Sequence, residues 1–506
     1  MEVFSNLAYG FALVASWQSL TAALIGLAAG IVIGALPGLT ATMAVAVLAP
    51  FTFFMESIIG IPFLLGIYKG AIYGGSIPAI TINTPGTAAA AATALDGNAL
   101  SRKGKGRLAL EVSLIASVIA DLIATLALIF VAAPLAAVAI KFGSPDFTML
   151  YLFALTMIAG VSGNSIAKGT ISVGLGILIA CVGLDPVSGY QRLTFGSVDL
   201  LGGISLVPLL IGMFALSEIF IQAERAASSR ATAAASHPDG GGVTFTTIRR
   251  LMPTILRSTG IGTLLGALPG LGAEISCWVS YGIAAKRSKE PKEFGKGSLE
   301  GVAAAEAGNN AVCPAALIPM MVFGIPGDTI TAVLLGAFMA QGLLPGPLLF
   351  QQHGPVLYGF FAILLVTNIM LLVFGFGAIR YLRHITRIPP GLLYPAVTVL
   401  CFAGAFAVNN AVFDWVIMVA GGAAGYVMRK TDVPIPPLVI AMLLAPGLEN
   451  NIRQSLSLSD GSYAVFVQSP IAAVLLFVTL VVFTFFVWRS LNPSPVLSQS
   501  LKGQPK

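Results

Sequence analysis

Charge is what this sequence has least of. Only 9% of its 506 residues are Asp, Glu, Lys or Arg, while 57% are hydrophobic. Soluble domains carry about 25% charged residues. A soluble chain of this length could not cover its surface with so few, so the composition reads as a polytopic membrane protein. Histidine is scarce too: His237, His353 and His384 lie far apart. Neither His-Glu-x-x-His nor a Walker A lysine motif occurs, so no zinc protease or ATP-driven pump is encoded. Gly74-Gly75-Ser76-Ile77-Pro78 misses Gly-x-Ser-x-Gly at its last position, and no histidine is near. The paired membrane aspartates of an intramembrane protease are also missing. The chain therefore reads as a non-enzyme, with no catalytic residues and no cofactor. The four cysteines, Cys181, Cys277, Cys313 and Cys401, form no Cys-x-x-Cys pair, so neither a disulfide framework nor a zinc site is expected. Met1-Glu2-Val3-Phe4 lacks a basic n-region, and the first hydrophobic helix is expected to drive insertion. The net charge of +6 sits mostly in short loops and reads as membrane topology, not nucleic-acid binding.

Glycine (56) and proline (30) are plentiful instead. Gly-Ala-Leu-Pro-Gly-Leu occurs at Gly34–Leu39 and again at Gly266–Leu271. A proline-glycine break inside an apolar run interrupts the helical hydrogen-bond ladder, at Pro37-Gly38 and at Pro269-Gly270. Gly26, Gly30, Gly34 and Gly38 share one face, a stripe that lets another helix backbone approach closely. The first helix is expected over about Leu13–Ile33, followed by an apolar run at Met43–Phe54. A second broken element follows. Ser76–Leu95 reads as a re-entrant hairpin with its tip at Asn83–Thr87 and breaks at Pro78 and Pro85-Gly86. Asp96-Gly97-Asn98 and a basic loop, Arg102 to Arg107, come next. Helices at about Leu108–Ile140, Phe147–Val161, Ile166–Gly183 and Leu200–Ile221 complete this half.

Both breaks recur. Gly30, Gly34 and Gly38 match Gly262, Gly266 and Gly270, 232 positions on. Ile77-Pro78 matches Ile318-Pro319, and Thr84-Pro85-Gly86-Thr87 matches Ile325-Pro326-Gly327-Asp328, both 241 positions on. Two motifs in one order at nearly one shift indicate internal duplication. The expected plan is a first transmembrane repeat at 1–222, a cytoplasmic polar linker at 223–247, a second repeat at 248–490 and a cytoplasmic tail at 491–506. Lys and Arg gather on the cytoplasmic side. They crowd the loop after the hairpin in the first half (Arg102, Lys103, Lys105, Arg107). In the second half they crowd the loop after the first break (Lys286, Arg287, Lys289, Lys292, Lys296). Equivalent loops thus fall on opposite sides, as in an inverted-topology repeat. The fold expectation is an all-α polytopic membrane protein of two inverted repeats, with broken helices, re-entrant hairpins and about 10–12 membrane segments.

A broken helix offers the N–H groups of its second piece, an end carrying roughly half a positive charge. The segments after Pro85-Gly86 and Pro326-Gly327 are therefore expected to cradle carboxylates. Asn83, Thr84, Gly86, Thr87, Gly327, Asp328, Thr329 and Lys69 are the expected substrate-binding residues. Freed carbonyls near Asn83, Asn309 and Asp328 would suit Na⁺, a hard, oxygen-seeking ion. Glu306, Asn309, Asn310 and Glu274 are the expected ion-coupling residues. Charges here are costly, about 2.5–3.5 kcal/mol for Lys or Asp. Lys69 either pairs with Glu306 or attracts a substrate carboxylate. Asp121 reads as a packing partner, and Glu274 reads equally as a hydrogen-bonded structural carboxylate.

These residues resemble a known family. Gly34-Ala-Leu-Pro-Gly-Leu-Thr, Tyr73-Gly-Gly-Ser-Ile, Asn83-Thr-Pro-Gly-Thr with Leu95-Asp-Gly, Glu300-Gly-Val-Ala-Ala-Ala-Glu-Ala-Gly-Asn-Asn and Leu344-Pro-Gly-Pro are similar to the large membrane subunit of tripartite tricarboxylate transporters, the TctA family. The resemblance covers almost the whole chain. It implies a multi-pass permease of the bacterial inner membrane working with a small four-helix membrane subunit (TctB-like) and a periplasmic solute-binding protein (TctC-like). It implies secondary, ion-driven uptake of organic acids, Na⁺-coupled in the best-known citrate systems, without catalytic residues; the coupling ion expected here is Na⁺ or H⁺. A passive organic-anion channel and a structural scaffold are the competing readings.

Overall fold

The computed structural model describes residues 2–36, 38–161, 165–226, 241–385 and 390–491. The expectations placed on Pro37, on linker positions 227–240 with His237 and on the tail beyond Leu491 lie outside the described residues.

The described chain is nearly all helix, as its lack of charge demands, because only internally hydrogen-bonded segments can cross a bilayer. Eight helices among the described residues are long and apolar enough to span, and several shorter apolar helices, such as Ala41–Phe54 and Thr329–Ala340, accompany them. The protein is an all-α polytopic membrane protein. The one β pairing described is a two-residue antiparallel ladder, Gly183 opposite Arg192 and Leu184 opposite Gln191.

Several boundaries differ from the sequence reading. The first apolar stretch is two helices, Glu2–Val14 and Trp17–Gly34, because the Ser16 side chain accepts from the Ser19 N–H and caps a new start. The Met43–Phe54 run is an α-helix to Leu48 and a 3₁₀ turn from Ala49 to Phe54, with Pro50 at its start. Pro50 lacks the N–H that would continue the ladder. Ser76–Ile82 follows Ser57–Gly74 across a single residue, Gly75, that itself keeps a right-handed helical conformation. Asp96-Gly97-Asn98 looks like a turn in sequence but sits inside the Ala91–Arg102 helix. Asp96 is completely buried. Its carboxylate accepts from the Gly297 and Ser298 N–H groups, both 2.8 Å, and from the Tyr281 hydroxyl, 2.9 Å.

The chain forms two compact units, Met1–Ile140 with Ser205–Tyr426, and Lys141–Ile204 with Val427–Lys506. Each draws on both sides of the polar linker. The first holds every broken motif. Its tightest pairing is Trp17–Gly34 against Ser57–Gly74, and the glycine stripe explains it. Any side chain at Gly26, Gly30 or Gly34 would overlap the backbone of Phe63, Ile67 or Ala71. In the second half Gly262 abuts the Gly308 carbonyl, and Gly266 abuts Val312. Each of these contacts repeats one of the first half at the shifts of 232 and 241 positions.

The second unit packs Ser144–Val161, Ile166–Ala180, Ile435–Leu458 and Pro470–Leu491 together. Arg453 meets Asp185 at 2.8 Å and Arg192 meets Glu449 at 3.0 Å, which pins the short ladder to the Ile435–Leu458 helix. The Arg453 guanidinium and the Ser188 and Val187 N–H groups hold the Asp185 carboxyl well below the usual carboxylate range.

Candidate functional site

Two bends, 83–87 and 324–328, are built alike. Ser76–Ile82 ends at Asn83 and Leu317–Phe323 ends at Gly324, both in the left-handed region at φ 57° and 69°. In each case the next residue closes the turn. The Thr84 N–H donates to the Pro78 carbonyl at 3.3 Å, and the Ile325 N–H donates to the Pro319 carbonyl at 3.2 Å. The breaks upstream lean on the bends. Gly86 sits on the Gly34 carbonyl with no room for a side chain, and its N–H donates to Gly75 O at 3.0 Å. In the second half a Cβ at Gly327 would lie 2.8 Å from the Gly266 carbonyl oxygen, and the Gly270 N–H donates to Gly327 O at 2.8 Å. Gly38 and Gly270 both have positive φ, 91° and 86°, a conformation that favours glycine.

The halves also reach across to each other within the first unit. Tyr68 donates to Asp328 Oδ2 at 2.7 Å, whereas Asn309, 241 positions after Tyr68, donates to the Ala89 carbonyl at 3.0 Å. Ala41–Leu48, after the first break, packs on Thr329–Ala340, and Thr42 and Thr329 share a 2.9 Å hydrogen bond. Gly272–Arg287, after the second break, packs on Ala88–Ala90 and Ala91–Arg102. Each break thus serves the bend of the opposite half as well as its own.

The bends differ in electrostatics. Thr329–Ala340 is closed by a capping box: Asp328 Oδ1 accepts the Thr331 N–H at 2.7 Å, and Thr331 Oγ1 receives the Asp328 N–H at 2.9 Å. The positive end of that helix is already occupied by a carboxylate of the chain. The sequence reading expected a carboxylate cradle at both bends, and side-chain capping is what separates them. At the first bend Thr87 caps nothing. Its hydroxyl is buried and makes no hydrogen bond, and Asn83 and Thr84 are exposed. The bend without a side-chain cap is therefore the first. Glu274 stands exposed in the first turn of Gly272–Arg287, within electrostatic range of Asp328.

Lys69 does not meet Glu306. Its ammonium lies 2.6 Å from Asp121 and donates to Leu364 O at 2.7 Å and Thr367 Oγ1 at 3.0 Å. Three acceptors match its three N–H groups. Glu306 is fully buried among hydroxyls instead. Ser76 Oγ lies 2.7 Å from both of its oxygens, Ser113 and Ser117 donate at 3.1 and 3.2 Å, and Thr93 donates as well. Asn310 donates to Ser117 Oγ at 2.8 Å and to the Glu306 carbonyl at 3.0 Å.

The sequence reading did not single out Tyr68, Thr93, Ser113 or Ser117. One signal was available. Ser113, Ser117, Asp121 and Thr125 recur every fourth residue on the apolar Gly106–Ala139 helix, which places them on one face. All four are buried. This stripe serves the Glu306 cage at one end and Lys69 further along.

A bundle of membrane helices with two matched breaks and a buried polar interior has the architecture of a membrane transport protein. The comparisons give the family. Residues 20–440 match the tripartite tricarboxylate transporter TctA family, and the chain belongs to it. An Agrobacterium vitis protein described as an uncharacterized 52.8 kDa protein in the TAR-I ttuC' 3' region is 34% identical over 480 residues, covering 95% of each chain. A second A. vitis protein, from the TAR-II ttuC' 3' region, is 36% identical over 220 residues, 44% of this chain and 91% of its own. No solved structure matches.

Proposed function

We propose that this chain is the large permease subunit of a binding-protein-dependent secondary transporter that imports organic acids by cation symport across the bacterial inner membrane. Its partners in this reading are a small four-helix membrane subunit and a periplasmic solute-binding protein. The observation that carries the proposal is the asymmetry of the bends. An open helix start with a free Thr87 hydroxyl suits a substrate carboxylate. A bend closed by Asp328, with exposed Glu274 in electrostatic range, suits a cation. The substrate contacts proposed are Asn83, Thr84, Gly86 and Thr87. Gly327, Asp328 and Thr329 shape the cation side, Asn309 ties the second half to the first bend through the Ala89 carbonyl, Asn310 braces the Glu306 cage, and Lys69 is a positioning charge.

The assay is uptake of a radiolabelled organic acid into vesicles containing the complex. Accumulation should saturate, require the binding protein and collapse when ion gradients are dissipated. Downhill passage with no ion coupling would indicate a channel, and no passage at all a scaffold.

The reciprocal packing and the reversal of basic loops support two inverted repeats, 1–222 and 248–490, about the 223–247 linker. Reporter fusions after residues 104 and 290 should report the cytoplasmic side, and a fusion after 348 the opposite side. Fusions at 290 and 348 on one side would refute the inverted arrangement.

A further inference from the structure

Asp121 and Glu306, both deeply buried in the first unit, are compensated differently. Asp121 has Lys69. Glu306 is 0% exposed, and no Lys, Arg or His among the described residues lies within ion-pair distance of it. An ionised carboxylate without a counter-charge at such a position costs several kcal/mol even after relaxation. The hydroxyls that donate to it offset part of this cost, and binding a cation or a proton removes the rest.

The geometry of the cage selects between these. A serine hydroxyl has one hydrogen to donate and lone pairs with which to accept. Ser76 Oγ is 2.7 Å from both carboxylate oxygens, and Thr93 closes on one of them as well. One hydroxyl hydrogen cannot serve both oxygens, so both contacts are hydrogen bonds when the carboxyl itself carries a proton and donates it to Ser76 Oγ. We propose that Glu306 carries the coupling proton: its carboxyl binds one proton inside the closed cage and releases it to water when the cage opens. The proposal rests on the symport reading above and names its ion.

Among the described residues, the surroundings contain no rival charge for this role. Tyr73, from Ser57–Gly74, and Cys277, from Gly272–Arg287, are the titratable groups in electrostatic range. On Gly106–Ala139 the nearest charge along the stripe, Asp121, is paired with Lys69. From Ala91–Arg102, Asp96 is spent on Gly297, Ser298 and Tyr281. Arg257 of Phe245–Gly266 lines a separate cavity with Arg250 and Arg287. Ser76 and Thr93 stand on either side of the first bend, and Ser113, Ser117 and Glu306 come from two other helices. The protonation state of one carboxyl therefore bears on how the substrate bend is held.

Infrared difference spectroscopy of the purified protein at neutral pH tests this. The wild type should show a protonated-carboxyl C=O band that shifts in heavy water and on ¹³C-labelling of glutamate, but not of aspartate. Glu306→Gln should remove the band, and Ser76→Ala, which deletes the hydroxyl touching both oxygens, should shift it. A wild-type protein without the band, or a band unmoved by the glutamate label, overturns the proposal without reliance on any variant. So does a band that survives Glu306→Gln. The vesicle assay separates the two readings. If the band is present but no ion gradient drives uptake, symport fails and the proton site stands. If Na⁺ alone drives uptake and the band is absent, the proton site fails and symport stands.

Discussion

Gly86→Ala is expected to abolish accumulation of substrate while the chain still inserts in the membrane. A single methyl group at this position would overlap the Gly34 carbonyl oxygen and lie 3.0 Å from Gly75 Cα. These are backbone atoms of packed helices, so no side-chain rotation relieves the clash. The Gly86 N–H is also committed to Gly75 O, which prevents the bend from sliding away. Overpacking a close contact costs about 1–3 kcal/mol, and here the strain falls on the segment that presents Thr84 and Thr87. At Gly327 the same methyl group would meet Ala316 and the Gly266 carbonyl at 2.8 Å, a milder conflict. Gly327→Ala should therefore retain part of the uptake, and the bulkier Gly327→Val should lose it. Membrane level, melting temperature and uptake measured together check this. Wild-type uptake and melting for Gly86→Ala would show that the bend is not packed as described.

Lys69→Met is expected to be among the most destabilising single substitutions in the chain. It leaves the Asp121 carboxylate buried and without its partner, together with the Leu364 carbonyl and the Thr367 hydroxyl. Removing one member of a buried pair costs about 3–5 kcal/mol, chiefly through the charge left behind. Asp121→Leu alone should cost a similar amount. The double variant Lys69→Met/Asp121→Leu should recover most of the loss, because no unpaired charge then remains. Unfolding of detergent-solubilised protein, analysed as a double-mutant cycle, measures the coupling. Single variants that each lose less than about 1 kcal/mol would contradict a desolvated pair.

How much was legible beforehand differs from residue to residue. The matched glycines at 30, 34, 262 and 266 were visible because close backbone approach demands a residue without a side chain. The bends were visible because Pro85-Gly86 and Pro326-Gly327 interrupt apolar runs. The partner of Lys69 was not. Asp121 is 52 positions away, and nothing local distinguishes it from Glu306 as a counter-ion. The setting of Asp96 was hidden for a related reason. Asp-Gly is a turn signal, yet this helix continues through it because Asp96 finds two backbone N–H groups and a tyrosine hydroxyl about 200 positions further on.

The sequence alone determined the solvent and the plan. Too little charge to face water required membrane helices, and two kinds of break recur at shifts of 232 and 241 positions. These are properties of composition and spacing, which no packing can change. Only the tertiary structure decided which charge meets which, that one bend is open and the other capped by Asp328, and that Glu306 lies among four hydroxyls. Those outcomes depend on helices distant in sequence converging within a few ångströms, and burial makes every polar group there find a partner from whatever the neighbouring helices supply.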